Sequence, residues 1–115
     1  MGAWLARSWD KQKWMRDNRK QECQELLAAV SEAVTLHLAR NLVGGVSLHQ
    51  TNEAYHQSLK VFHSRLFIAK DVERHKLLDS WAHAVHDFNE TADRVKFDAS
   101  FEQIREQITQ MAINS

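Results

Sequence analysis

Three of the seven histidines recur at seven-residue intervals, which places them in a stripe along one predicted helix. They are His49, His56 and His63. Glu53 precedes His56 by three residues, and a Glu-x-x-His pair is half of the ligand set of carboxylate-bridged di-iron sites in helical bundles. Such a site needs a second Glu-x-x-His pair, which the sequence does not contain. We therefore do not expect a di-iron centre.

His83 and His86, next to Asp87, form a second group of potential metal ligands. Helical spacing puts His83 outward and His86 at the boundary of an apolar face. Together with His56 they are weak candidates for metal contact, and solvated boundary positions are the simpler interpretation. We expect no cofactor and no dedicated metal site, and a histidine-based metal-binding helical bundle is the alternative.

Cys23 and His37 lie on the apolar face of the first predicted helix. A nucleophilic cysteine needs an activating base and access to substrate, and no histidine is near Cys23 in the sequence. We interpret Cys23 as a small core residue and His37 as a core histidine satisfied by a hydrogen bond. Gly44-Gly45 lacks the Lys and Ser/Thr of a phosphate-binding loop. The sequence predicts no catalytic residue, so we do not expect an enzyme.

The composition restricts the fold that positions these side chains. The chain of 115 residues contains no proline and only three glycines, whereas turn-rich β folds depend on both. Its length suits one domain with one core, and its single cysteine excludes an internal disulfide. No apolar run approaches the ~20 residues that span a bilayer. We expect a single all-α domain over residues 1–115.

Apolar periodicity and capping patterns predict four helices. Gly44-Gly45 follows the last periodic residue of the first helix, where a left-handed C-cap favours glycine. Ser47 and Ser100 are each followed by a glutamine three residues later, the capping-box pattern of a helix start. Short connections imply antiparallel neighbours, and therefore an antiparallel four-helix bundle. The predicted helices cover residues 4–42, 47–69, 72–96 and 101–112.

No glycine or proline marks the boundary between the second and third predicted helices. The apolar register shifts across it, and residues 66–69 are apolar on all sides, so we place a tight turn at Lys70-Asp71. One unbroken helix over residues 47–96, about 75 Å long, is the alternative. The second helix is predicted to bury Leu48, Asn52, Tyr55, Leu59, Phe62 and Leu66, the third Leu78, Trp81, Val85, Phe88, Ala92 and Val95, and the fourth Phe101, Ile104, Ile108 and Met111.

The first predicted helix overshoots the second by about 24 Å, which is the length of residues 4–20. We call residues 4–20 the arm and residues 21–115 the body. Six basic and two acidic side chains give the arm a charge of +4, in a chain whose net charge is zero. Its tryptophans are five residues apart, so they wrap around the helix. The predicted interaction residues of the arm are Trp4, Arg7, Trp9, Lys11, Lys13, Trp14, Arg16, Arg19 and Lys20.

The sequence identifies no partner for the arm within the chain. An isolated helix of this length is only marginally stable in water. Basic residues beside tryptophans suit an anionic membrane surface, and two arms could also pair in a homo-oligomer. Nucleic acid is a weaker interpretation, because the body is acidic and no helix-turn-helix pattern follows. The interfacial zone is only ~6–7 Å thick per side, so Trp4 and Trp9 suit it, whereas we expect Trp14 to pack on protein.

A last pattern links the arm to the body. At its centre is an aspartate-asparagine-arginine-lysine sequence at residues 17–20, with tryptophans before it and leucines after it. The whole pattern comprises residues 4–9, 13–22, 25–27 and 65–69 together with Leu77, Leu78 and Trp81. It resembles a loose group of small uncharacterised bacterial proteins. The resemblance implies an N-terminal membrane anchor followed by a helical cytoplasmic domain at the inner membrane. The apolar span itself is absent from this sequence, and residues 2–5 could be its end.

Overall fold

A computed structural model describes the backbone of residues 2–42 and 44–114, and the side chains of residues 11–41 and 44–114. Over these residues the structure is helical and contains no strand, which confirms the predicted all-α class. The molecule measures 63 × 22 × 19 Å, and its long axis has about the length of its first helix. The described residues form five helices instead of the predicted four: α1 (Gly2–Leu42), α2 (Leu48–Ser64), α3 (Ala69–Arg74), α4 (Leu77–Thr91) and α5 (Arg94–Ile113).

The long first helix and the turn after it agree with the sequence. Gly44 and Gly45 have φ angles of 73° and 83°, a left-handed conformation that glycine adopts without strain. The Ser47 hydroxyl accepts a hydrogen bond from the Gln50 N–H at 3.1 Å, and the Gln50 side chain accepts one from the Ser47 N–H at 2.8 Å. The predicted capping box at the start of α2 is therefore confirmed.

The predicted end of the second helix is wrong. α2 ends at Ser64, and Arg65 is extended, with φ −89° and ψ 116°. A non-helical segment over residues 65–68, which we call the corner, joins α2 to the short α3. Lys70 and Asp71, where the sequence placed the turn, lie inside α3. The bend comes earlier because side chains of α1 bind the backbone of the corner, a contact that local periodicity cannot report.

The third predicted helix, residues 72–96, is divided at two positions. Lys76 and Ala92 have φ angles of 52° and 55°, and each ends the preceding helical turn in a left-handed conformation that is uncommon for residues with a Cβ. α5 begins after Asp93, whose carboxylate accepts a hydrogen bond from the Lys96 N–H at 3.1 Å. Ser100, the predicted cap, lies inside α5. The alternative of one unbroken helix is also wrong.

The core forms where α1 packs on α2 and α5 and where α4 packs on α5. At its centre the Phe97 ring stacks on Phe88 at 4.3 Å and on Trp81 at 6.4 Å between ring centroids. The Trp81 indole N–H donates to the Ser58 hydroxyl at 2.8 Å, so its buried polar atom is satisfied. Cys23 and His37, which were predicted to lie on the apolar face of the first helix, are buried. Other buried residues of α1 are Leu26, Val30, Ala33 and Val34.

The buried face of α2 differs from the predicted one. Thr51 and Ser58 are fully buried, whereas Leu48 and Asn52 are exposed. Both buried hydroxyls donate to carbonyls of their own helix, Thr51 to Leu48 at 2.9 Å, so they enter the core without an unpaired polar atom. Further corrections are Leu66, Ala92 and Val95, which were predicted to be buried and are exposed.

Candidate functional site

The histidines that the sequence raised as metal ligands do not converge. His56, His83 and His86 are exposed, and His86 lies 3.1 Å from the Glu90 carboxylate one turn further along α4. Among the described residues no group of three or more His, Cys, Asp or Glu side chains is arranged to hold a metal ion. The weak metal candidates therefore gain no support from the geometry.

His37 is a core residue, as predicted. It is 2 % exposed, and its Nδ1 donates a hydrogen bond to the Ala33 carbonyl at 2.7 Å. The ring packs against Phe88 and Phe97, with centroids 6.4 and 6.0 Å away. Burial lowers the pKa of His37, the Ala33 carbonyl opposes that effect, and Arg40 adds to it. Burial therefore favours the neutral form of this imidazole over the charged form.

Replacing His37 with leucine should change the pH dependence of stability more than stability itself. At pH 8 we expect a difference within about 1 kcal/mol, because one hydrogen bond is exchanged for apolar burial. The folded state holds the pKa of His37 below its usual 6.5, so the wild type loses stability as pH falls below that value. Urea unfolding at pH 8 and pH 5 should show that the free energy of unfolding falls less between these pH values in His37→Leu than in the wild type.

The control for this experiment is His56→Leu, the same change at an exposed position. It should keep the wild-type loss of stability between pH 8 and pH 5. A destabilisation by His37→Leu of more than about 2 kcal/mol at pH 8 would contradict the prediction, because it would mean that the imidazole supports the fold directly.

Cys23 is a buried free thiol on α1. Burial raises its pKa, and the nearby charge of Arg19 only partly opposes that effect. A thiol that is 1 % exposed and favours its protonated form is a poor nucleophile. The prediction of a small core residue is confirmed.

The described part of the arm is an exposed helical surface. Trp14 is 58 % exposed and Met15 is 45 % exposed, both large apolar side chains in contact with solvent. The side chains of Trp4, Arg7 and Trp9 lie outside the described residues. Basic side chains surround the exposed apolar ones, and those with exposed positions are Lys11, Lys13, Arg16 and Lys20.

Trp14 also touches the body. Its ring meets that of Phe67 in the corner edge to face, with centroids 5.3 Å apart. The expectation that Trp14 packs on protein is confirmed for one side of the ring, while most of its surface stays in solvent. The corner thus extends the body toward the arm by about two helical turns beyond Cys23, the first core residue among the described side chains of α1.

Arg19 requires a correction, because it belongs to the body as well as to the arm. Its guanidinium donates to the Phe67 carbonyl at 3.2 Å and forms an ion pair with Asp71. Arg74 binds the other oxygen of the same carboxylate at 2.6 Å. The hydrogen bond from Arg19 is the main reason why the pKa of Asp71 lies below its usual value. Sequence periodicity missed this contact because the two partners are 52 residues apart.

Glu22 holds the corner from the same helix. One carboxylate oxygen accepts hydrogen bonds from the N–H groups of Phe67 and Ile68, at 2.8 and 3.2 Å. The other accepts one from Leu66 at 3.2 Å. Glu25, one turn later, pairs with Arg65 at 2.7 Å. The Glu22 carboxylate therefore satisfies three backbone donors of a segment without regular structure, and Glu25 binds a side chain of the same segment. No role for either glutamate was predicted from the sequence.

Two clefts flank α3. One, of about 420 Å³, lies beside Arg19, Asp71 and Glu106 and is lined mainly by polar side chains. The other, of about 460 Å³, lies beside Phe62, Leu66 and other residues near the ends of α2 and α3. Both contain side chains of each charge sign, so neither selects a ligand by charge.

In comparisons with known proteins, no family, curated protein or solved structure matches the chain. The resemblance drawn from the arm and the leucine-containing stretches therefore stays a prediction. None of the helices in the described ranges has the length and apolar character needed to cross a bilayer. Function has to be inferred from the arm and the corner themselves.

Proposed function

We propose that the chain is a non-catalytic helical interaction module that binds an anionic membrane surface through its arm. The observation that carries this proposal is an exposed stretch of α1 in which basic and large apolar side chains surround the same helix. Tryptophan favours the membrane interface and Lys and Arg favour its anionic headgroups. The described side chains of this stretch are Lys11, Lys13, Trp14, Met15 and Arg16.

Charge distribution supports a membrane over a nucleic acid. The arm carries +4, so the rest of this neutral chain carries −4. A membrane meets one end of an elongated molecule, where the arm and the corner lie, and need not approach the rest of its acidic body. Each Lys or Arg near an anionic leaflet contributes about 1 kcal/mol, so the charge of the arm is sufficient for reversible binding.

We further propose that the body is an antiparallel bundle and that the arm is a stiff continuation of one of its helices. α1 is continuous from Gly2 to Leu42, so a membrane-bound arm would fix the orientation of the body relative to the membrane. Following the family resemblance, we place the module in the cytoplasm, at the inner face of the inner membrane. A homo-oligomer through α1 is the competing arrangement.

The test is co-sedimentation with vesicles of phosphatidylcholine with and without phosphatidylserine. We expect binding only with phosphatidylserine, and weaker binding at ~1 M salt, where the Debye length is ~3 Å. Reversing Lys11, Lys13 and Arg16 to glutamate should lower the affinity at least about a hundredfold. The matched control reverses Lys60, Arg94 and Arg105, which are exposed on the body, and should retain most of the binding.

Absence of binding to anionic vesicles would overturn the proposal. Sedimentation equilibrium of the protein without lipid then tests the competing arrangement, which requires a dimer or larger species. Binding of a single-stranded oligonucleotide that exceeds binding to vesicles would instead favour nucleic acid as the partner.

A further inference from the structure

We propose that the membrane-contact surface continues from the arm onto the corner, and that Leu66 is the side chain of the body that enters the bilayer interface. This inference rests on the proposed function, since it names a further contact of the same surface. Leu66 is 80 % exposed, although aliphatic side chains usually gain free energy from burial. The sequence predicted Leu66 to be a buried residue of the second helix.

The corner presents three consecutive apolar residues in three environments. Ile68 is fully buried and anchors the segment in the core. Phe67 is partly buried and packs against Trp14 of the arm. Leu66 extends into solvent. The surface is therefore continuous from the arm to the corner, because the Trp14–Phe67 contact joins the two.

The exposure of Leu66 is maintained by defined contacts. The Leu66 N–H donates to Glu22 at 3.2 Å, and the next two N–H groups donate to the same carboxylate. The Phe67 carbonyl accepts from Arg19 at 3.2 Å. The backbone is thus bound to α1 at the Leu66 N–H and at the Phe67 carbonyl. The Leu66 side chain is therefore held outward, and contact with a membrane loses little additional backbone entropy.

Charge complementarity identifies the occupant as an anionic lipid surface. Lys11 is three residues before Trp14 and four before Met15, so these exposed side chains share one region of α1. Lys70, which follows the corner by two residues in the sequence, is exposed in α3. A second copy of the chain would bring two arms of +4 together, whereas anionic headgroups neutralise them.

The experiment places an environment-sensitive dye at position 66. Because Cys23 is buried and is the only cysteine, Cys23→Ala with Leu66→Cys provides one site for an NBD label. The control is Cys23→Ala with Leu48→Cys, at a leucine that is 52 % exposed at the opposite end of α2. With phosphatidylserine-containing vesicles we expect NBD fluorescence to increase severalfold at position 66 and to stay constant at position 48.

An unlabelled variant gives an independent measurement. Leu66→Ala should weaken vesicle affinity roughly fivefold, whereas Leu48→Ala should leave it unchanged. If the protein sediments with vesicles while the dye at position 66 does not respond, the inference is overturned and the proposed function remains. If the protein does not sediment at all, both are overturned.

Discussion

Trp81→Ala should destabilise the protein by about 3–5 kcal/mol, the range measured when large aromatic side chains are removed from cores. Trp81 is fully buried and stacks on Phe97, while its ring also lies 6.0 Å from Tyr55. Its removal leaves a cavity among three helices that cannot all move inward. Since small domains have a total stability of about 5–15 kcal/mol, this one change should leave the fold marginal. Urea unfolding followed by circular dichroism at 222 nm, a standard helix signal, measures the loss.

Two further variants separate packing from hydrogen bonding. Ser58→Ala removes the acceptor of the Trp81 indole N–H and leaves that donor buried, which should cost about 1–3 kcal/mol. Val95→Ala truncates an apolar side chain that is 81 % exposed on α5 and should stay within about 0.5 kcal/mol. If Trp81→Ala and Val95→Ala had similar effects, Trp81 would not be the centre of the core.

The core positions that sequence predicted correctly are those inside long, regular helices. Ile104, Ile108 and Met111 of α5, and Trp81 and Val85 of α4, follow one apolar period each and are buried. In these segments the helical register continues without interruption, so spacing alone identifies the inward face. The long α1 was predictable for the same reason, and its end was predictable because glycine favours the left-handed conformation that Gly44 and Gly45 adopt there.

The errors occur where the backbone leaves that register. Ala92 was expected on a buried face, but it has a positive φ and ends α4. Val95 follows this break, so its apparent spacing from Trp81 no longer describes one helix. Lys76 interrupts the helix in the same way. Residues with a Cβ seldom adopt this conformation, so the residue types lysine and alanine do not predict it at these positions.

Of the candidate surface, the arm could be predicted from the sequence and the corner could not. Basic residues and tryptophans of the arm are visible in a single segment, so composition and length pointed to residues 4–20. The corner is visible only once residues 44 to 52 positions apart are brought together. Glu22 lies at the edge of an apolar face, where a carboxylate is ordinarily solvated. Its partners are backbone N–H groups, which every sequence contains and no sequence pattern marks.

Glu22→Ala should therefore lower stability by about 2–4 kcal/mol, because it removes one carboxylate that satisfies three backbone donors. Hydrogen bonds to a charged acceptor are stronger than neutral ones, and the Phe67 and Ile68 donors are partly buried. Hydrogen exchange at residues 66–68 should accelerate more than exchange in α5, since the corner loses its attachment while α5 keeps its own ladder.

Glu22→Gln and Glu32→Ala are the matched variants. Glutamine retains one side-chain oxygen, which can accept the hydrogen bonds from the Phe67 and Ile68 N–H groups. Glu22→Gln should therefore lower the free energy of unfolding about half as much as Glu22→Ala. Glu32 is exposed on the same helix, and its truncation should stay within about 0.5 kcal/mol. Equal acceleration of exchange at residues 66–68 and in α5 in Glu22→Ala would contradict local attachment, because it would mean that Glu22 stabilises the bundle only as a unit. Larger acceleration at residues 66–68 than in α5 is expected if the Glu22 carboxylate attaches the corner to α1 beside the arm.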